Sequence, residues 1–255
     1  MKHFLLSVSV LMFSVLANAQ VDTLSKIIPP PPTPPKKKEN KYAHLDLSNR
    51  ANDHFLFQIF WADWANKPDS IKQKGFPRGF NAYLMLDFPF KTDPRFSIGI
   101  GAGVGTDNIY FDKTTVEVAG LTSTLRFEDR SDTTHFKKYK LATTYLEAPI
   151  ELRFAANPEN TNKSFKAAIG AKVGLLVNSH NKGKNLESSN NALINSYIQK
   201  ESSKRYFNNT RLVVTGRVGY GFIGAFVAYQ VNAFIKQGAG PDIHPFQVGL
   251  TISGL

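Results

Sequence analysis

From about residue 53 onward, apolar residues alternate with polar or small ones. A period of two places such residues on one face of an extended strand. Phe80, Ala82, Leu84, Leu86, Phe88 and Phe90 share one face, and Asn81, Tyr83, Met85 and Asp87 share the other. Phe96, Ile98, Ile100, Ala102 and Val104 alternate with Ser97, Gly99, Gly101, Gly103 and Gly105. The same alternation sets Leu146, Ile150 and Leu152 against Tyr145, Glu147, Glu151 and Arg153. It recurs in residues 165–175, 211–218, 224–232 and 246–253, while residues 55–62 are apolar on both faces. These segments predict about eight strands, each near the roughly 9–11 residues of a tilted membrane strand.

The connections then decide the topology. Polar stretches at 66–78, 106–140, 178–209 and 237–244 are long, and those at 91–95, 157–163 and around Gly219-Tyr220-Gly221 are short. Long and short connections alternate strictly, as extracellular loops and periplasmic turns do in an outer-membrane barrel with both termini in the periplasm. The predicted fold is therefore all-β, an eight-stranded antiparallel up-and-down transmembrane β-barrel. Within the longest excursion, Val116, Val118, Leu121, Leu125 and Phe127 alternate around Gly120 and predict a β-hairpin rising above the membrane. Trp61, Trp64, Phe80, Phe88, Phe90, Phe96, Tyr145, Phe154, Phe165, Tyr220, Phe222 and Phe246 lie near strand ends, where amphipathic rings form two girdles.

The N-terminus has a different pattern. Lys2 and His3 precede an apolar run over 4–16 and an A-x-A site at Ala17-Asn18-Ala19. That is the form of a cleaved secretory signal over 1–19, and the run is too short for a spanning helix. Residues 20–50 contain Pro29-Pro30-Pro31-Pro32-Thr33-Pro34-Pro35 and then Lys36-Lys37-Lys38, which predicts an extended, disordered periplasmic spacer. The barrel is assigned to 51–255.

The chain has no cysteine, so a closed sheet or a core must stabilise it after export. The formal charge is +11. Export argues against a nucleic-acid partner, and the basic residues sit mainly in predicted loops. Outer-membrane lipid and lipopolysaccharide are the expected partners, with envelope proteins as further ones.

Tyr145-Leu146-Glu147-Ala148-Pro149-Ile150-Glu151-Leu152-Arg153-Phe154 resembles the "YLE-x-P" strand of the PorT-like outer-membrane barrels of Bacteroidetes. The run Ile98-Gly99-Ile100-Gly101-Ala102-Gly103-Val104-Gly105 and the ending Phe246-Gln247-Val248-Gly249-Leu250 are also similar. The resemblance covers roughly residues 50–255 and implies a barrel in the cell outer membrane, with a link to secretion or envelope assembly. The chain departs from the aromatic ending common in such barrels, closing on Ser253-Gly254-Leu255.

Candidate chemistry is sparse. Gly219-Tyr220-Gly221-Phe222-Ile223-Gly224 matches G-x-G-x-x-G but lies between two strands, without the helix a dinucleotide site needs. Glu147 and Glu151 are four residues apart on one strand, roughly 13 Å, too far for a glycosidase pair. The predicted inward faces carry Glu147, Glu151, Arg153, Lys166, Lys172, Arg211 and Arg217. An eight-stranded barrel is just wide enough to be filled by side chains, so these predict an internal network of paired charges, not a pore. His44, His54, His135, His180 and His244 show no metal-ligand spacing. No catalytic, cofactor-binding or metal residue is assigned. The leading expectation is a non-enzymatic outer-membrane protein with large extracellular loops and a structural or interaction role. A membrane-embedded lipid-modifying enzyme and a soluble lipocalin-like ligand binder in the periplasm are the alternatives. The last would point its apolar faces inward.

Overall fold

The computed structural model describes residues 55–253, together with Tyr42, residues 45–47 and Arg50. The expected signal peptide, most of the proline-rich segment, His44 and His54 lie outside the described residues. The strands are β1 (Phe55–Ala65), β2 (Arg78–Pro89), β3 (Phe96–Phe111), β4 (Thr114–Val116), β5 (Phe127–Asp129), β6 (His135–Ala155), β7 (Phe165–Glu187), β8 (Leu193–Ser202), β9 (Thr210–Tyr220), β10 (Ile223–Gln230) and β11 (His244–Ser253). One sheet runs β6-β3-β2-β1-β11-β10-β9-β7, and the pairing of β6 with β7 closes it into an eight-stranded ring. Every neighbouring pair is antiparallel. β11 pairs with both β1 and β10, with Trp61 opposite Val248. Gly221, at φ +60°, makes the turn between β9 and β10, where a Cβ would sit 2.7 Å from the Asn162 carbonyl oxygen.

The side-chain polarity is that of a membrane barrel. Ile59, Leu84, Leu86, Ile150, Ile169, Val218 and Leu250 point outward and are exposed, Ile169 by 68%. Gln58, Asn81, Glu147, Glu151, Lys172 and Arg211 point inward and are buried. A soluble ligand-binding barrel has the opposite arrangement, so that alternative fails on polarity. Phe88, Phe96, Phe154, Phe165 and Tyr220 ring the periplasmic end of the outer wall, with Phe96 and Phe154 at 5.2 Å. Trp61, Phe246 and Tyr229 mark part of the other boundary. Trp64 and Tyr145, expected in the girdles, instead face inward and are 4% and 1% exposed. Their place near a strand end suggested a girdle, but their parity sets them on the interior side.

β3, β6 and β7 are 16, 21 and 23 residues long, well beyond the expected 9–11. Their alternation continues above the apolar belt, where outward positions such as Asn108, Lys140 and Lys182 are polar because they meet water. The expected loop over 178–209 accordingly contains the upper part of β7 and all of β8. β8 and β9 lie on the same side of β7, separated by residues 203–209.

Candidate functional site

Inside the ring the predicted charges do come together. Glu147 on β6 accepts hydrogen bonds from the Tyr83 hydroxyl and from Arg211, and Lys172 on β7 stands 3.3 Å away. Lys172 also donates to the Tyr83 hydroxyl at 3.0 Å. Arg211 on β9 donates to Asp107 on β3 at 2.7 Å and lies 3.9 Å over the Tyr145 ring. Gln247 donates to the other Asp107 oxygen at 2.7 Å. Asp107 and Glu147 thus balance Lys172 and Arg211, and every partner leans on at least one more. That is the condition for tolerable buried charge.

One layer nearer the periplasm, Glu151 accepts from Arg153 at 3.0 Å and from Arg217 at 2.8 Å. Asp87 accepts from Ser97 at 2.6 Å and from Arg50 at 2.7 Å. Arg50, placed by composition in the spacer, therefore reaches into the periplasmic mouth. Glycines on the inward face of β3 make room for this network: a Cβ on Gly99 would strike the Arg153 guanidinium, and one on Gly105 would crowd Asn81, Arg211 and Glu147. Interior cavities at the periplasmic mouth, beside Arg211 and beside Lys172 hold about 40, 10 and 10 Å³. Such spaces take a few waters at most.

Above this polar layer the interior turns apolar. Ala62, Trp64, Ile109, Phe111 and Leu141 continue the inward faces of their strands. The β4–β5 hairpin folds down onto them, burying Val116, Val118 and Leu125. Residues 203–209 insert Tyr206 and Phe207, with Phe207 4.9 Å from Phe234 and Phe234 5.5 Å from Trp64. The Tyr206 hydroxyl reaches the carbonyls of Gly120 and Thr122 at 2.5 and 2.8 Å. The Tyr139 hydroxyl donates to the Val116 carbonyl at 2.9 Å and accepts from the Val116 N–H at 3.1 Å. The hairpin expected to rise above the membrane exists, but it lies across the mouth as a lid. Val116, Val118 and Leu125 are apolar because they face this cap. Leu121 at its tip is 92% exposed.

Sequence reasoning missed Asp107, Gln247 and the Tyr83 hydroxyl as members of the network. Asp107 was legible in principle, since the inward parity of β3 continues past Gly105. Tyr206 and Phe207 gave no periodic signal. Lys166 lines the periplasmic cavity with Arg50 and Arg217. The histidines stay apart: His135 is buried at the cap, His180 lies on the outer wall, and His244 stacks on Tyr229. Among the described residues no group of His, Asp and Glu could hold a metal ion. His180 faces Ser202 across the β7–β8 pair, but its hydrogen-bond partner is Asn178, at 3.1 Å.

No curated protein matches the sequence. Among solved structures, the attachment invasion locus protein Ail of Yersinia pestis is similar at 13% identity and a TM-score of 0.33, over 79% of this chain and 97% of that one. Neisserial surface protein A is similar at 9% identity and a TM-score of 0.31, over 78% and 96%. The family described as outer membrane protein beta-barrel domain matches residues 45–238. With that match, the closed ring and its lipid-facing belt, the chain belongs to the outer membrane protein beta-barrel domain family and resides in the outer membrane.

Proposed function

We propose that this protein is a non-enzymatic component of the cell surface that acts through its extracellular part, as a structural, adhesion or assembly element of the envelope. One observation carries the reading. The lumen is filled by paired charges and closed above by an apolar cap. The folded mass outside the bilayer comprises that cap and the tall β6–β7–β8 wall. Among the described residues the interior cavities named above hold a few waters at most, which supports a rigid platform over a channel or an enclosed active site. The resemblance of its strands to PorT-like barrels favours a role beside secretion or envelope assembly among the structural ones.

The test combines purified protein with a strain lacking it. In planar bilayers the folded barrel is expected to give no conductance steps. It is expected to release no fatty acid from lipopolysaccharide or phospholipid. A variant with residues 184–200 replaced by a tight turn should still show heat-modifiable mobility. That variant should fail to restore adhesion or export of secreted proteins in the deletion strain. Ion conductance, acyl release or full complementation by the shortened variant would each overturn the reading.

A further inference from the structure

The outer wall above the lipid belt is not uniform around the ring. On β6 the apolar outward series ends at Leu146, and on β7 at Leu175 and Val177. Past two rows of polar or small residues, Thr144 beside Asn178 and Ala142 beside His180, the outward positions become basic across three adjacent strands. Lys140 on β6 is directly opposite Lys182 on β7, which is directly opposite Lys200 on β8. In the next row Lys138 is opposite Lys184. Neighbouring strands lie about 4.8 Å apart, so three ammonium groups are borne within about 10 Å of wall.

Like charges set directly opposite one another in a sheet repel and destabilise it. None of these five lysines has a carboxylate partner among the described residues, whereas the loop lysines Lys67, Lys72 and Lys74 do. The polar contact recorded for the ladder is neutral, from Lys140 to Asn108 at 2.6 Å. Arg78 extends the basic band onto β2, lying over the Tyr110 ring that stands beside Lys140. The burial of His180, with Lys200, Lys140 and Lys182 around it, holds its imidazole below the usual histidine range. The field there is thus positive and uncompensated. On the opposite arc the corresponding boundary carries Trp61, Phe246 and Tyr229 instead.

We propose that the Lys140–Lys182–Lys200 ladder, with Lys138 and Lys184, is a docking site for the phosphate groups on the sugar headgroup of an outer-leaflet glycolipid. Two facts select this occupant over a protein or a free anion. The ladder stands on the same strands as the lipid-facing wall, six residues or about 20 Å along β6 from Leu146, so a lipid whose chains lie against Leu146, Leu175 and Val177 runs its sugar headgroup up past Thr144 and His180 to the lysines. The site is a convex row on a barrel wall, without a concave pocket that would hold a small anion alone. Ammonium groups near a membrane surface favour anionic lipid, and phosphate oxygens accept the charge-assisted bonds these lysines leave unmade.

The experiment uses the full chain folded in zwitterionic nanodiscs, titrated with phosphorylated lipopolysaccharide, with the same lipid after dephosphorylation, and with inorganic pyrophosphate. Acetylation rates of individual lysines are read by mass spectrometry. Phosphorylated lipid should slow labelling of Lys140, Lys182 and Lys200 several-fold and leave Lys72 and Lys74 unchanged. Dephosphorylated lipid and pyrophosphate should protect little. The triple variant K140Q/K182Q/K200Q, checked for heat-modifiable mobility, should bind phosphorylated lipid about 10- to 100-fold more weakly, given the contribution per lysine near an anionic surface. Equal protection by the dephosphorylated lipid, equal protection by pyrophosphate, or an unchanged affinity of the triple variant would each overturn the proposal. If the triple variant does not fold, the protection pattern of the unaltered chain decides.

Discussion

Replacing Glu147 by Gln changes one atom type and removes one charge from the centre of the barrel. Glu147 and Lys172 have side chains 0% and 2% exposed and stand 3.3 Å apart. At an effective dielectric of about 20, a unit pair at that distance attracts by about 5 kcal/mol. Arg211 keeps Asp107 and the Tyr145 ring after the change, but Lys172 keeps only the Tyr83 hydroxyl. A buried charge stripped of its partner costs about 3–5 kcal/mol. Lys172→Met alone should cost less, because Glu147 still has Arg211. The double variant E147Q/K172M should be more stable than the sum of the two predicts, by about 2 kcal/mol, in the range of contacting pairs. Equilibrium urea unfolding of the barrel in lipid vesicles, followed by the fluorescence of Trp61 and Trp64, measures all three. An E147Q loss below about 1 kcal/mol, or strict additivity in the cycle, would refute the claim that this pair is electrostatically coupled.

The remaining predictions address the cap and the wall. Val118→Asp puts an unpaired carboxylate at a fully buried cap position, so the hairpin should detach and become cleavable by trypsin on whole cells while the barrel stays heat-modifiable. Burial pushes the Tyr139 hydroxyl, which lies above the apolar belt, up to about 12. Its pKa is raised above the unfolded value of about 10, so its contribution is intact below pH 10 and lost as pH rises toward 12. Hydrogen exchange at Val116 should accelerate over that window, and Tyr139→Phe should abolish the window while loosening the hairpin at neutral pH. Gly103→Val should prevent correct pairing of β2 with β3, because a Cβ there would collide with the Ala82 carbonyl oxygen, and the compact gel species should be lost.

The barrel was legible because the lipid imposes one simple constraint, an apolar residue at every second position, and the loop lengths add the topology. The charged lumen was legible for the same reason, since parity alone put Glu147, Lys172 and Arg211 on one side. What the sequence withheld was the extracellular region. Above the bilayer the outer face meets water, so outward residues such as Lys140 and Lys182 look like loop residues although the strand continues through them. The inner face there meets the cap, so Phe60 and Trp64 make β1 apolar on both sides and blur its alternation. Tyr206 and Phe207 are recruited by packing against residues far away in the chain, and no local pattern announces that.

The cap also sets the order of assembly. Its apolar members sit on segments that must cross the membrane before any of them can be buried: the β4–β5 hairpin, residues 203–209 and the stretch around Phe234. They cannot pack together on the periplasmic side, because the upper parts of β3, β6 and β7 that complete the cap are then not yet in place. Maturation is therefore expected to run in two stages, insertion of the wall and then collapse of the cap at the cell surface. A freshly inserted molecule should pass through an interval in which it is already embedded yet still open to external protease.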